Sequence, residues 1–195
     1  QLAGLLELVR SDPAFVSISE QAQVASTVDL VGPAVIYPLA IAQIRQSQES
    51  GVVLILTTTG RAADELAADL SAYLPDEGIE VFPSWETLPH ERLSPSADTV
   101  GRRMAVLRRL AHPIIGSVHA PPITVLITSV RAALQPIVAD LGDQKPVELK
   151  IGDQASFTET VSRLVALGYE RVDLVDRRGQ IAVRGGILDV FPPTQ

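Results

Sequence analysis

The sequence predicts a doubly wound α/β domain with a mostly parallel sheet, followed by a small α+β domain with a mostly antiparallel sheet. The first prediction rests on short apolar runs that alternate with helical patterns. The clearest run, residues 51–58, is apolar almost throughout, as is usual for strands covered on both faces. The second rests on a change of pattern after residue 143, where one helix precedes two strand-like runs. We therefore predict domains at residues 1–143 and 144–195.

The elements of the first domain follow from the spacing of its apolar residues. This spacing predicts helices at 2–9, 19–26, 35–46, 63–74, 99–110 and 129–134, and strands at 27–31, 51–58, 79–82 and 124–128. Asp98 is expected to cap the helix at 99–110, because a carboxylate there can accept hydrogen bonds from the first backbone N–H groups. Residues 83–95 carry three prolines and are expected to be irregular.

The second domain begins with an alternating run at 147–151, which predicts a half-buried strand. Residues 156–159 form a capping box, so a helix buried through Val161, Leu164 and Val165 should follow and end at Gly168. Strands are predicted at 171–175 and 181–191, with Gly185 and Gly186 as a bend or bulge in the second.

Composition excludes several classes of function. The 195 residues are 46% hydrophobic, enough for a sizeable core, and contain no cysteine, which excludes disulfides and thiolate metal sites. A net charge of −7 argues against a domain that wraps phosphate backbones. No apolar run is long enough to cross a bilayer, and we expect a cytoplasmic protein. Both ends look trimmed from a longer chain.

Three stretches carry a resemblance to a known family: PSWETLPHERLSPSADTVGRRMAVLRRL at 83–110, ITSVRAALQP at 127–136, and GYERVDLVDRRGQIAVRGGILDVFPPT at 168–194. In this order they resemble the amino-terminal module of the transcription-repair coupling factors, which is itself similar to the front part of UvrB. The resemblance implies a RecA-like first domain and a second domain that binds UvrA. It also implies a parent protein that is an ATP-driven DNA translocase and removes stalled RNA polymerase.

The resemblance also implies where the partners bind. UvrA is the partner expected for this chain, and the rest of the parent chain is expected to pack back on it. RNA polymerase and DNA are expected to bind other domains of the parent, and no membrane contact is expected.

A phosphate-binding loop is expected where UvrB has one, but its residues are replaced here. The loop begins with Gly32, while Tyr37 stands at the second glycine position, Pro38 at the lysine position and Leu39 at the Mg²⁺-binding hydroxyl position. Proline has no N–H, and the phosphate cradle needs donors, a lysine and a hydroxyl. We therefore predict no cofactor and no catalytic activity for this chain. The alternative is a nucleotide-binding half-domain of an active helicase or translocase.

The predicted partner-binding residues are Arg171, Arg184 and Phe191. The two arginines match recurring arginines of the family's UvrA-contacting domain, and Phe191 closes the same strand. Arginine suits an interface because its guanidinium forms forked hydrogen bonds. The competing interpretation is that the arginines of this segment, with Arg177 and Arg178 among them, lie on a strand face that is exposed to water. Phe191 would then lie in the core.

The remaining candidate residues are expected to have structural roles. A solvated helix face is favoured over a phosphate-contacting strip for Arg102, Arg103, Arg108 and Arg109. Trp85, with Leu88 and Pro89, is expected to anchor the irregular segment rather than to stack bases. The three histidines, His90, His112 and His119, lack metal-ligand spacing. The leading hypothesis is thus a non-catalytic adaptor, with a helicase half-domain and an RNA polymerase-binding domain as alternatives.

Overall fold

The computed structural model describes residues 3–87, 91, 93–114 and 121–194. Its elements, in chain order, are α1 (Ala3–Val9), α2 (Pro13–Val24), a 3₁₀ turn (Ala34–Ile36), α3 (Tyr37–Ser47), β1 (Val53–Thr57), α4 (Gly60–Tyr73), β2 (Gly78–Phe82), α5 (Ala97–Ala111), β3 (Ile123–Ser129), α6 (Val130–Ala133), a 3₁₀ turn (Leu141–Asp143), α7 (Phe157–Ala166), β4 (Glu170–Val172), β5 (Gln180–Arg184) and β6 (Ile187–Phe191).

These elements form two compact units. The first unit combines Gln1–Ser84 with His112–Pro136, and the second combines Trp85–Ala111 with Ile137–Gln195. Helix α5 thus belongs by its contacts to the second unit. The division into domains at residues 1–143 and 144–195 stays a prediction.

The first unit is built on a three-stranded parallel sheet in the order β1-β3-β2. Helices α1, α3 and α4 pack on one face, where Val125, Ile127 and Leu70 are fully buried. Helix α4 begins at Gly60, three residues before the predicted residue 63, because the Thr59 hydroxyl caps it by accepting a hydrogen bond from the Ala62 N–H. The sheet confirms the predicted α/β class.

The second unit contains a small mixed sheet in the order β4-β5-β6. Strands β4 and β5 are parallel, and β5 and β6 are antiparallel. The predicted capping of α7 is confirmed, because the Ser156 hydroxyl accepts from the Glu159 N–H. Gly168 follows the helix at φ 92°, a left-handed conformation that favours glycine. The second unit therefore matches the predicted α+β class.

Two predicted strands are wrong. Residues 27–31 and 147–151 have no strand structure, and the side chains of Val31 and Ile151 are almost fully exposed. Both runs have β-forming residues, but neither pairs with another described strand, and strand preference depends on such a partner. The strand predicted at 171–175 is shorter, because the Gln180 side chain accepts hydrogen bonds from the Asp176 and Arg177 N–H groups and turns the chain there.

The remaining corrections concern caps and turns. Residues 181–191 form a hairpin rather than one bent strand, with Gly185 and Gly186 as a two-residue loop. Gly185 has φ 60°, the left-handed backbone that such loops need. Ser96, not Asp98, accepts the hydrogen bond from the Thr99 N–H at the start of α5. Helix α2 begins earlier than predicted, since Asp12 caps it and Pro13 occupies its first turn. Val165, predicted to be buried on α7, is exposed.

Candidate partner-binding surface

The loop from Gly32 to Leu39, which the resemblance places where UvrB has its phosphate-binding loop, is packed with its own side chains. No strand leads into it, because residues 27–31 have none. The Tyr37 hydroxyl donates a hydrogen bond to the Gly32 carbonyl across 3.3 Å, and the Ile36 side chain packs against Gly32. Pro38 is buried in the first turn of α3, and Leu39 packs against the core. This loop contains neither the lysine nor the Ser or Thr hydroxyl with which a phosphate-binding loop holds a nucleotide and its Mg²⁺.

The hairpin register sorts the three predicted partner-binding residues onto two faces of the small sheet. Residues that lie directly opposite each other on paired strands share a face. Gln180 lies opposite Phe191 and Arg184 opposite Ile187, so Arg184 and Phe191 share one face. Arg171 lies opposite Ile181, which belongs to the other face. The sheet therefore places Arg184 and Phe191 on one face, at opposite ends of the β5–β6 pair, and Arg171 on the other face.

The face that holds Arg184 is exposed mainly at one side. Ala182, at its centre, is fully buried, whereas Ile187 and Phe191 are exposed by 64% and 39%. The exposed part consists of Arg184, Ile187, Asp189 and Phe191, and we call it the hairpin face. It combines a cation, an anion and two large apolar side chains. Interface centres commonly contain Arg and aromatic residues together.

Arg184 has a defined partner within the hairpin face. Its Nη2 lies 2.5 Å from a carboxylate oxygen of Asp189, while the two side chains remain 60% and 40% exposed. The pair is diagonal across the hairpin, since Asp189 lies opposite Ala182 and Arg184 opposite Ile187. The interaction was not predicted from the sequence. A hairpin centred on the two glycines would have predicted it, because a two-residue loop fixes this register.

Phe191 contacts two residues of the connection between β4 and β5. The guanidinium carbon of Arg178 lies 5.9 Å from the Phe191 ring centroid, and the Gly179 N–H donates to the Phe191 carbonyl across 2.7 Å. Arg178 also donates to the Pro193 carbonyl and pairs with Asp98 at 3.5 Å. Sequence analysis groups Arg178 with the other arginines of this segment. In the structure, its contacts with Phe191, Pro193 and Asp98 stabilise the end of β6. Arg177 is exposed and lies 4.0 Å from Asp176.

Helix α5 braces the small sheet through two glycines. A Cβ atom at Gly179 would lie 2.5 Å from the Cβ of Ala97, and a Cβ atom at Gly101 would lie 2.5 Å from the Cβ of Pro193. Both glycines are therefore required for close approach of the helix to the ends of β5 and β6. This contact fixes the strand that carries Phe191 relative to the rest of the second unit.

The arginines of α5 do not form an exposed cationic strip. Arg103 is buried, and its guanidinium carbon lies 4.1 Å from the centroid of the Trp85 ring, so burial lowers its pKa from the ordinary value. Arg108 is half-buried and donates to the Asp143 carbonyl. Arg109 is half-buried as well, which leaves Arg102 as the exposed member of the four. One face of Trp85 is covered by Arg103, as expected for a structural anchor.

Charge is divided unequally between the two units. The first unit holds 4 Lys and Arg against 11 Asp and Glu, while the second holds 12 of each. The whole net charge of −7 therefore belongs to the first unit. The negative net charge of the whole chain therefore does not describe the surface of the second unit, which carries equal numbers of acidic and basic residues.

The described residues contain no group of three His, Asp or Glu that could hold a metal ion. His112 lies in the described part of the chain, whereas His90, His119, Leu88 and Pro89 lie outside it. A cleft of about 440 Å³ in the second unit is lined mainly by apolar side chains, among them Met104, Leu164 and Tyr169. Burial raises the pKa of Tyr169. In the part of the chain that the structure describes, no helix is long and apolar enough to span a membrane.

Comparison with known proteins agrees with this architecture. Residues 147–195 match the UvrB interaction domain family. The chain is 47% identical over 194 residues to the transcription-repair-coupling factor of Mycobacterium bovis. The aligned residues make up 99% of this chain and 15% of that protein. It is 30% identical over 154 residues to that of Haemophilus influenzae and 27% identical over 142 residues to that of Bacillus subtilis. These matches cover 79% and 73% of this chain and 13% and 12% of those proteins.

The chain thus spans only about 12–15% of the length of these relatives. The matches include both the α/β part and the small mixed sheet, in the order that the sequence predicts. The chain belongs to the transcription-repair coupling factor family, and it corresponds to that family's amino-terminal UvrB-like module.

Proposed function

We propose that this chain recruits UvrA to sites of stalled transcription and that the hairpin face is the surface that UvrA contacts. The observation that supports this most directly is the register of β5 and β6, which presents Arg184, Ile187 and Phe191 together on one exposed face. This face lies within the segment that matches the UvrB interaction domain.

The chemistry of the hairpin face suits a protein partner. A guanidinium binds carboxylates in a forked geometry, and Ile187 and Phe191 offer apolar surface that a partner can remove from water. Arginine and aromatic residues contribute most often to the few contacts that dominate binding energy. The α5 contacts at Gly179 and Gly101 hold this face in place, so little ordering is required on binding.

The first unit serves, in this proposal, as a scaffold without a chemical step. Tyr37 and Ile36 close the loop at Gly32, and Pro38 offers no N–H there. In the parent protein, separate domains would bind RNA polymerase and translocate on DNA with ATP, while this module would deliver UvrA. The parent chain would also pack on this module and mask the hairpin face.

Arg184→Ala tests the proposal against a matched control on the opposite face of the same sheet. Truncating an interface arginine typically costs about 2 kcal/mol, which corresponds to a roughly thirtyfold loss of affinity. We expect Arg184→Ala to weaken binding to purified UvrA by about that factor in biolayer interferometry. Arg171→Ala, which removes an equal charge from the other face, should leave the affinity within about twofold.

The melting temperatures of both variants show whether a change in UvrA affinity comes from the lost side chain or from a less stable fold. Arg184 is 60% exposed, so its loss should change the melting temperature by no more than a few degrees. Equal UvrA affinity of Arg184→Ala and the unsubstituted chain would exclude the hairpin face as the contact surface. A loss of binding with Arg171→Ala but not Arg184→Ala would move the contact to the opposite face.

A further inference from the structure

The Arg184–Asp189 pair has a geometry that bears on how a partner is selected, and this inference rests on the proposed function. Asp189 binds the guanidinium through one nitrogen, Nη2. A guanidinium has five N–H donors, so this single contact leaves most of its donor capacity unused by Asp189. The side chain of Arg184 is 60% exposed, and a partner can reach it.

The register keeps the Asp189 carboxylate beside Arg184. The two residues are diagonal neighbours on adjacent strands, at a separation that long side chains can bridge. Because Ala182 lies opposite Asp189 and is small, no large side chain shields the carboxylate from the guanidinium. An acidic group that approaches Arg184 therefore meets a fixed negative charge at the same place.

The energy of this pair is small enough for a partner to replace it. Exposed ion pairs contribute about 0–1 kcal/mol, because water and salt screen both charges. A bidentate carboxylate from a partner, which becomes desolvated in the interface, binds a guanidinium more strongly than a single exposed contact does. Replacement of the Asp189 carboxylate by a carboxylate of the partner is then favourable. The net gain in free energy is smaller than it would be for an arginine that has no intramolecular partner.

We propose that Asp189 is an internal competitor for Arg184, which it holds in the free protein and releases to a carboxylate of UvrA on binding. In this role Asp189 is a specificity-determining residue. It lowers the affinity of Arg184 for single anions in solution, while a carboxylate that arrives with apolar neighbours for Ile187 and Phe191 still displaces it. The partner group is thereby assigned a chemical class, a carboxylate at the centre of the UvrA contact.

Asp189→Asn removes the charge and keeps the shape of the side chain. We expect it to bind UvrA about two- to fivefold more tightly than the unsubstituted chain, because the competing charge is gone. Asp176→Asn is the matched control, since it removes one exposed carboxylate from the same unit that contacts Arg177 instead. It should change the affinity by less than about 1.5-fold. Affinities are measured by isothermal titration, and the melting temperature of each variant is recorded.

A double variant separates exchange from general charge effects. In the Arg184→Ala background, Asp189→Asn should give no gain, because the residue for which it competes is absent. A gain of the expected size that disappears in this background supports the proposal. An Asp189→Asn variant that binds UvrA equally or more weakly, while Arg184→Ala weakens binding, overturns the exchange but leaves the proposed function standing. If Arg184→Ala has no effect, both the proposed contact and the exchange are overturned.

Discussion

Gly179 is the residue at which a single methyl group should most disturb the surface proposed to bind UvrA. It has φ 82°, and a Cβ atom there would lie 2.5 Å from the Cβ of Ala97. Its N–H donates to the Phe191 carbonyl, and its carbonyl accepts from the Glu170 N–H. A shift of this backbone therefore reaches both neighbours of β5.

The cost of Gly179→Ala has two parts. A non-glycine residue in the left-handed region costs about 1–2 kcal/mol. Forcing a methyl group into a contact of 2.5 Å is overpacking against the N-terminal turn of α5, which costs typically about 1–3 kcal/mol. We expect the free energy of unfolding of the second unit to fall by roughly 2–5 kcal/mol in total.

Gly168→Ala measures the first part alone. Gly168 has φ 92° and also lies in the second unit, but a Cβ atom there meets nothing within 4 Å. This variant should therefore lose only about 1–2 kcal/mol, the conformational part. Urea denaturation followed by tryptophan fluorescence measures both, because the single tryptophan, Trp85, lies in the second unit under Arg103.

The difference between the two variants is the decisive quantity. An excess of about 1–3 kcal/mol for Gly179→Ala corresponds to a midpoint lower by on the order of 1 M urea. Equal midpoints for the two alanine variants would refute the argument that α5 and the small sheet are in close contact at Gly179. A greater loss for Gly168→Ala would refute it as well.

Two further outcomes are expected. The pKa of Glu86 is held below its ordinary value of 4.5, because hydrogen bonds from Ser96 and Thr99 together outweigh burial, which acts to raise it. Its ionised form therefore stabilises the fold above the unfolded pKa, and this contribution is lost as the pH falls through the folded pKa; the urea midpoint of Glu86→Gln should lie below that of the unsubstituted chain at pH 7, and the gap should close as the pH falls below the lowered pKa of Glu86. Isothermal titration of Mg-ATP should show no binding at micromolar affinity, since Pro38 and the Tyr37–Gly32 hydrogen bond close the loop; a micromolar dissociation constant would favour the helicase half-domain instead.

The elements that sequence predicts well are those with a strong local signal. Helix α4 has a capping threonine and a regular apolar stripe, and β1 is an apolar run between turns, so both were placed within two or three residues. The runs at 27–31 and 147–151 have strand-like composition, but a strand also needs a partner, and neither run pairs with a described one. Local composition cannot supply that information.

The candidate surface was predicted in part. Arg184 and Phe191 lie on one exposed face, but only the strand register shows that Arg171 lies on the other face. The pairing of Arg184 with Asp189 depends on whether Gly185 and Gly186 bend one strand or join two. A bend leaves residues 184 and 189 on the same strand, five positions apart, whereas a two-residue loop brings them together.

The two compact units are interleaved along the chain. The polypeptide passes from one to the other near residues 84, 111 and 136, so each unit is assembled from two separate segments. A cut at residue 143 would give a carboxyl-terminal peptide without α5, the helix that packs against Gly179 and Pro193. Neither unit can therefore be inherited, deleted or transplanted as one continuous segment. Gene fusion or domain shuffling would have to transfer Trp85–Ala111 together with Ile137–Gln195 for the hairpin face to keep its support.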